Sequence, residues 1–249
     1  ISVSDGLTLQ THKRMGLVAD VFDEAVTRSL GGNYAIGHVR YSTSGSSTLI
    51  NAQPIQVASH RGSVSLAHNG NLVNAPELRR EMERDGSIFS TTSDSEVILH
   101  MLARNRAIAA EDALIEILPR VKGAYSLVLL TRDRLIAVRD PHGFRPLCLG
   151  RYQDSYVVAS ESCAFDIIGA TYLREIEPGE IVTIGEGELA RDRRGRRRRA
   201  SRRRELACQE LLLERVGVVD AEVGTATLGV CPLHVGAGLH ERSHPMRPA

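Results

Sequence analysis

The sequence has no tryptophan, only four phenylalanines and six tyrosines, and only four cysteines in 249 residues. Those cysteines (Cys148, Cys163, Cys208 and Cys231) have no paired spacing, and no secretory segment precedes them. That excludes a disulfide framework and predicts reduced thiols in a cytoplasmic protein. No apolar run approaches the length of a membrane-spanning helix, so a membrane partner is not expected. A dominant charge is lacking too, since the formal net charge is +1. The basic residues are nevertheless uneven, with arginines crowded into "RDRRGRRRRASRRR" at 191–204. Such a block repels itself and predicts disorder. Its charge suits phosphates or nucleic acid, but the aromatics that usually interleave such surfaces are missing. It reads as a solvated linker, and nucleic acid is not an expected partner. Beyond it, "ELACQELLLERVGVV" carries one short helical stripe and the last residues show no periodicity. Cys231, His234, His240 and His244 fit no standard zinc spacing, so no metal site is expected.

What is present before about Leu189 is strongly patterned. "ISVSDGLTLQTH" alternates around Asp5-Gly6 and predicts a β-hairpin. "MGLVADVFDEAVTRSLGG" spaces apolar residues about four apart, which predicts one amphipathic helix ended by glycines. "YAIGHVRYST" and "SVSLAH" read as strands. Asn74 with Glu77, and Ser93 with Glu96, have the spacing of capping boxes, each opening a helix. "GAYSLVLL", "RLIAVRD", "PLCLG", "SYVVAS" and "EIVTI" are short strands separated by turn signals such as Asp140-Pro141-His142-Gly143. Many antiparallel strands with a few helices grouped early predict an α+β layered fold over 1–189, followed by a basic, disordered tail over 190–249.

Three polar clusters interrupt the apolar segments. In "SLAHNGNLVNAPEL", Asn69-Gly70 reads first as a turn. The same pair can act as an oxyanion hole, with a carboxamide donor beside a backbone N–H that glycine leaves open to a ligand. Arg40 ends the strand in "HVRYSTSG"; it suits either a surface ion pair or a bidentate carboxylate. Asp94, in "TTSDSE", lies at a helix start, where the dipole alone favours an acid. Together, one Arg, one Asp and an Asn-Gly pair make a receptor for an amino acid.

The segments "AIGHVRYSTSGSS", "NAQP", "LAHNGNLVNAPEL", "TTSDSEVILH", "GAYSLVLL", "AVRDPHGFRPLCLG", "VASESCAFDIIGA" and "REIEPGEIV" resemble the class II glutaminase domain of the amidophosphoribosyltransferase family. The resemblance is nearly continuous from Ile1 to about Leu189. "RYST" at 40–43 and "DPHGFRPL" set it apart from glucosamine-6-phosphate synthase, where an Arg-Trp-Ala-Thr version is expected. It implies an αββα N-terminal-nucleophile hydrolase fold. It also implies glutamine hydrolysis, with ammonia passed to phosphoribosyl pyrophosphate in the first committed step of purine synthesis. By position, Arg40 would bind the glutamine α-carboxylate and Asp94 its ammonium. Thr43 would line the pocket, Asn69 and Gly70 would form the oxyanion hole, and His68 and Asn71 would be supports.

The family's nucleophile is a cysteine at the mature N-terminus, whose α-amino group can serve as base. Here Ile1 comes first, and no residue matches that cysteine. Cys148 and Cys163 fall in motifs where the family's cysteines are not nucleophiles, and the arginine-rich end resembles nothing in the family. The expectation is therefore an incomplete glutaminase domain with no cofactor of its own, unable to hydrolyse glutamine by itself. For a full-length parent the resemblance implies a phosphoribosyltransferase domain using Mg2+ and homo-oligomeric assembly, and leaves an iron–sulfur cluster open. The alternatives are a non-catalytic glutamine-binding or interaction module, or another class II amidotransferase.

Overall fold

Alternation along one strand, β5 (Gly62–Leu72), separates two cores. Leu66 packs in a cluster beneath helices, whereas its neighbour Ala67 packs in a cluster between two sheets. The computed structural model describes residues 1–40, 48–60, 62–185, 188–193, 196–198 and 227–231. One seven-stranded antiparallel sheet carries β5. Its order is β13 (Arg196–Arg198), β12 (Glu188–Arg193), β11 (Glu180–Gly185), β7 (Leu135–Arg139), β6 (Gly123–Leu130), β5 and β4 (Ile55–Ser59). The facing sheet runs β10 (Thr171–Glu175), β8 (Cys148–Tyr152), β9 (Ser155–Ala159), β14 (Thr227–Cys231), β3 (Tyr34–His38), β1 (Ser2–Ser4) and β2 (Leu9–Thr11).

Leu66, Leu127, Leu129 and Ile136 on the outer face of the first sheet pack under α3 (Ala75–Arg84), α4 (Glu96–Arg104) and α5 (Ala110–Ile117). Ile36, Ala67, Val128, Leu149, Val158 and Val182 fill the space between the sheets. Val3, Ala35, Val157 and Phe165 close the other side, against α6 (Cys163–Ile168) and the short helices α1 (Val18–Val21) and α2 (Glu24–Ser29). The layers are thus helix, sheet, sheet, helix, as the resemblance implied. Ser2 of β1 and Ser65 of β5 share a buried hydroxyl hydrogen bond of 2.6 Å that joins the sheets.

Several local expectations are corrected. The predicted single helix before Gly31 is two helices. Asp23 caps the second, accepting from the Val26 N–H at 2.8 Å, and the chain bends at Phe22. Neither capping box forms. Asn74 instead reaches sideways, donating to the Arg120 carbonyl at 2.9 Å and accepting from the Lys122 N–H at 2.8 Å. Glu96 turns back to the preceding loop and accepts from the N–H groups of Ser90 and Thr91 at 2.8 and 2.7 Å. Beyond Leu189, strands occur at 190–193, 196–198 and 227–231, where the sequence predicted a tail without regular structure. The candidate zinc ligands of the tail, other than the backbone of Cys231, lie outside the described residues. β14 is not an edge strand. It pairs antiparallel with β3 (Thr227 with His38) and with β9 (Leu228 with Ala159), at the centre of its sheet.

Candidate functional site

The strand β5 does not turn at Asn69-Gly70. It continues, with Asn69 opposite Ser126 and Gly70 opposite Tyr125 on β6, so the turn reading is wrong. Glycine is needed there for another reason. Gly70 has φ +144°, and a Cβ on it would lie 2.1 Å from the Ala124 carbonyl oxygen. Across the ladder Gly123 shares that φ, and its Cβ would lie 2.2 Å from the Asn71 carbonyl oxygen. Two backbones therefore approach more closely than side chains allow, and the strand distorts where the candidate oxyanion pair sits.

The pleat then divides the labour. Asn69, only 4% exposed, shares the inter-sheet face with Ala67. His68 shares the opposite face with Leu66, beneath the start of α4. Its Nδ1 lies 2.9 Å from Ser95 Oγ and 3.7 Å from Asp94 Oδ1. The longer contact is beyond hydrogen-bond range. Gln53 locks the strand from outside, accepting from the His68 N–H at 2.6 Å, and its Nε2 is 3.5 Å from Ser95 Oγ. Asn51 and Thr92 tie the same loops together, with the Thr92 N–H donating to Asn51 Oδ1 at 3.0 Å.

Asp94 stands at the junction. Its Oδ2 accepts from the Leu72 N–H at 2.8 Å, where β5 ends, and Ser95 Oγ donates to Oδ1 at 3.3 Å. Burial opposes its charge, but His68, the Leu72 N–H and the Ser95 hydroxyl prevail and hold the carboxyl below the usual range. Its side chain keeps 17% exposure, enough for a ligand to reach. With about four acceptor positions on a carboxylate, two internal donors leave room for an ammonium.

The facing sheet contributes His38 and Arg40. Burial pushes the His38 imidazole down to about 3, reinforced by the nearby charges of His68, the N-terminal ammonium and Arg40. His38 is thus a neutral group at the end of β3, with Arg40 two residues beyond it. Asn69, Gly70 and Asp94 lie around the end of β5, where Asp94 accepts from the Leu72 N–H, and Arg40 lies two residues past the end of β3. Thr43 lies outside the described residues. Sequence reasoning missed Gln53 and Ser95 as braces; only their place in the "NAQP" and "TTSDSE" motifs marked them.

Neither cysteine with a described side chain stands here. Cys148 is buried in β8, its thiol pushed up by burial, and Cys163 begins α6. The Asp140 turn is architectural, its carboxylate accepting from the N–H groups of His142, Phe144 and Arg145 at 2.9, 3.2 and 3.1 Å. A cavity of about 260 Å³ lies away from this cluster, lined by Val57, Leu102, Ile108 and Arg134 among others. It shares no residue with the cluster, and its Arg134 is already paired with its own Glu111, so the site is read from the side-chain chemistry at the end of β5.

A family model described as a glutamine amidotransferase domain matches residues 38–166, a span that includes Arg40, Asn69, Gly70 and Asp94. Amidophosphoribosyltransferase 2 (chloroplastic) of Arabidopsis thaliana is 51% identical over 185 residues, covering 74% of this chain and 33% of that protein. The amidophosphoribosyltransferase of Bacillus subtilis is 45% identical over 194 residues, covering 78% of this chain and 41% of its own length. The chain therefore spans about a third to two fifths of the curated relatives it matches. Among solved structures, the B. subtilis glutamine phosphoribosylpyrophosphate amidotransferase complexed with ADP and GMP aligns with TM-score 0.73 at 44% identity, over 78% of this chain and 42% of that one. By its sequence match and its four-layered αββα fold, the chain belongs to the glutamine amidotransferase domain family.

Proposed function

We propose that this chain forms the glutamine-holding part of an amidophosphoribosyltransferase, an enzyme that releases ammonia from glutamine and adds it to phosphoribosyl pyrophosphate at the start of purine synthesis. The observation that carries the reading is the junction at Asp94. One carboxylate, kept charged by Leu72, Ser95 and His68, sits at the end of the strand that presents Asn69 and Gly70. In this reading the ammonium of glutamine pairs with Asp94 and its α-carboxylate with the Arg40 fork. The side-chain amide then extends towards Asn69 and Gly70. As a nucleophile adds to that amide, its oxygen gains negative charge. The Asn69 carboxamide and the Gly70 N–H are the donors that would stabilise it. Asp94 and Arg40 thus bind and orient the substrate, and Asn69 and Gly70 polarise it; phosphoribosyl pyrophosphate belongs to the remaining length of the relatives.

Glutamine binding, measured by titration calorimetry, tests the reading without depending on turnover. Asp94→Ala should weaken binding by roughly ten- to a hundredfold, the equivalent of about 1.5–3 kcal/mol for a hydrogen bond to a charged group. Equal affinity of the two proteins would refute the assignment of the ammonium to Asp94.

A further inference from the structure

Ser95, the residue before α4, is 0% exposed, and four polar groups converge on its one hydroxyl. His68 Nδ1 lies 2.9 Å from Ser95 Oγ, Ser93 Oγ 3.1 Å, Asp94 Oδ1 3.3 Å and Gln53 Nε2 3.5 Å. A serine hydroxyl has one hydrogen to give and two lone pairs to fill. The hydrogens around it can be counted. Gln53 Oε1 accepts from the His68 N–H at 2.6 Å, which turns the NH2 of that amide towards Ser95. The Ser93 hydroxyl accepts from the Ser95 N–H at 3.3 Å and gives its own hydrogen to Ser95 Oγ. The Asp94 carboxylate has no hydrogen at all. The Ser95 hydrogen therefore goes to Asp94, and His68 donates to Ser95 from Nδ1. A lone pair on Nδ1 would face Asp94 Oδ1 at 3.7 Å, whereas an N–H there turns its positive end to that oxygen. The other ring nitrogen, Nε2, has no hydrogen-bond partner among the described residues, so the contacts at Nδ1 alone select the tautomer. Ser, His and Asp here share the membership of a hydrolase triad but not its geometry. In a triad the two ring nitrogens face different partners; here Ser95 and Asp94 both face Nδ1, and Ser95 is sealed from any substrate.

We propose that Ser95 is a positioning residue for glutamine: taking a hydrogen from His68 Nδ1 and giving its own to Asp94, it sets the carboxylate to receive the substrate's ammonium. The proposal rests on the pairing of that ammonium with Asp94. Ser95 touches no ligand itself. It holds Oδ1 while the Leu72 N–H holds Oδ2, so both oxygens are fixed before a ligand arrives. The acceptor directions left over are then set in advance, and binding is spared the cost of ordering them. The Nδ1–H form of His68 is part of the same device. In the opposite tautomer the ring would claim the Ser95 hydrogen, and Asp94 Oδ1 would lose its donor.

Two measurements test this, and the first needs neither ligand nor variant. A two-bond 1H–15N correlation spectrum of the full chain should show the His68 hydrogen on Nδ1; a lone pair on Nδ1 overturns the proposal. That readout stands even where a variant fails to fold. The second is Ser95→Ala. Titration calorimetry with glutamine should show affinity lowered about tenfold, the effect of one hydrogen bond to a charged group. The Asp94 carboxyl, followed by 13C NMR without glutamine, should titrate at higher pH than in the parent, because its charged form has lost a donor. A serine that only fills space would leave that titration where it is, and an unchanged titration overturns the proposal. Undiminished glutamine affinity in Ser95→Ala, when Asp94→Ala does lose affinity, overturns the role of Ser95 and leaves the ammonium reading standing. Equal affinity of Asp94→Ala and the parent overturns both, while the His68 tautomer still reports the order of the hydrogens.

Discussion

At the scale of single residues, Gly70 carries the strictest requirement. Its φ of +144° and the 2.1 Å approach to Ala124 leave no place for a side chain, and the obstructing atom is backbone. Gly70→Ala should therefore destabilise the fold by on the order of 3 kcal/mol or more, combining backbone strain with displacement of β6. Urea unfolding monitored by circular dichroism would read this as a lower midpoint; an unchanged midpoint would mean that β6 yields easily. The dipeptide Asn69-Gly70 was visible in the sequence as special, but its meaning was not, because the close approach depends on a strand more than fifty residues away. His38 supports a second expectation. Unfolded, its imidazole binds a proton below about 6.5; folded, it does so only near about 3. Between those values the unfolded state holds more protons, so stability falls as pH is lowered through that window, by on the order of 5 kcal/mol over its whole width. Unfolding free energies measured from pH 7.5 to 4 should show this decline, and His38→Gln should flatten it. Asp94 acts lower, its contribution being lost only as pH falls through its depressed carboxyl range.

At the scale of elements, the two sheets are joined at one edge by a buried fork. Arg174 of β10 holds both carboxylate oxygens of Glu180 on β11, and Glu180 is 2% exposed. The Glu177 N–H donates to the same carboxylate at 2.8 Å, fixing the Pro178-Gly179 turn between the strands. Removing one partner leaves a buried charge without its counterion, so Glu180→Ala should cost about 3–5 kcal/mol in thermal or denaturant unfolding. A Glu180→Ala midpoint equal to that of the parent would show that solvent reaches Arg174 freely. Strands such as β6 and β9 were legible as short apolar runs bounded by turn signals, because burial on both faces leaves few polar positions in them. The helices near the start were legible as apolar spacing but not as two pieces, since the break rests on one cap at Asp23. The capping boxes failed because Asn74 and Glu96 found better partners in loops brought to them by the fold.

At the scale of the whole molecule, β14 decides whether one sheet is continuous. It lies between β3 and β9 and packs against β5, β6 and β7 of the facing sheet. Five residues containing a glycine gave no sequence pattern, since the position of such a strand is set by its neighbours and not by its own alternation. A chain ending after residue 198 should expose the facing edges of β3 and β9, which present unpaired backbone groups to other copies. Sedimentation velocity should show that truncated chain self-associating at concentrations where the full chain does not. Hydrogen exchange should be faster in β3 and β9 than in β5 and β6; equal protection in both proteins would mean that the two halves close on each other. The same strand sets a timetable for synthesis. Its partner His38 precedes Thr227 by about 190 residues. At about 5–20 residues per second, the ribosome needs roughly 10–40 s to deliver β14 after β3. For that interval the nascent chain carries a gap through the middle of a sheet, and holding it apart from its neighbours becomes a task for the cell's chaperones rather than for the sequence.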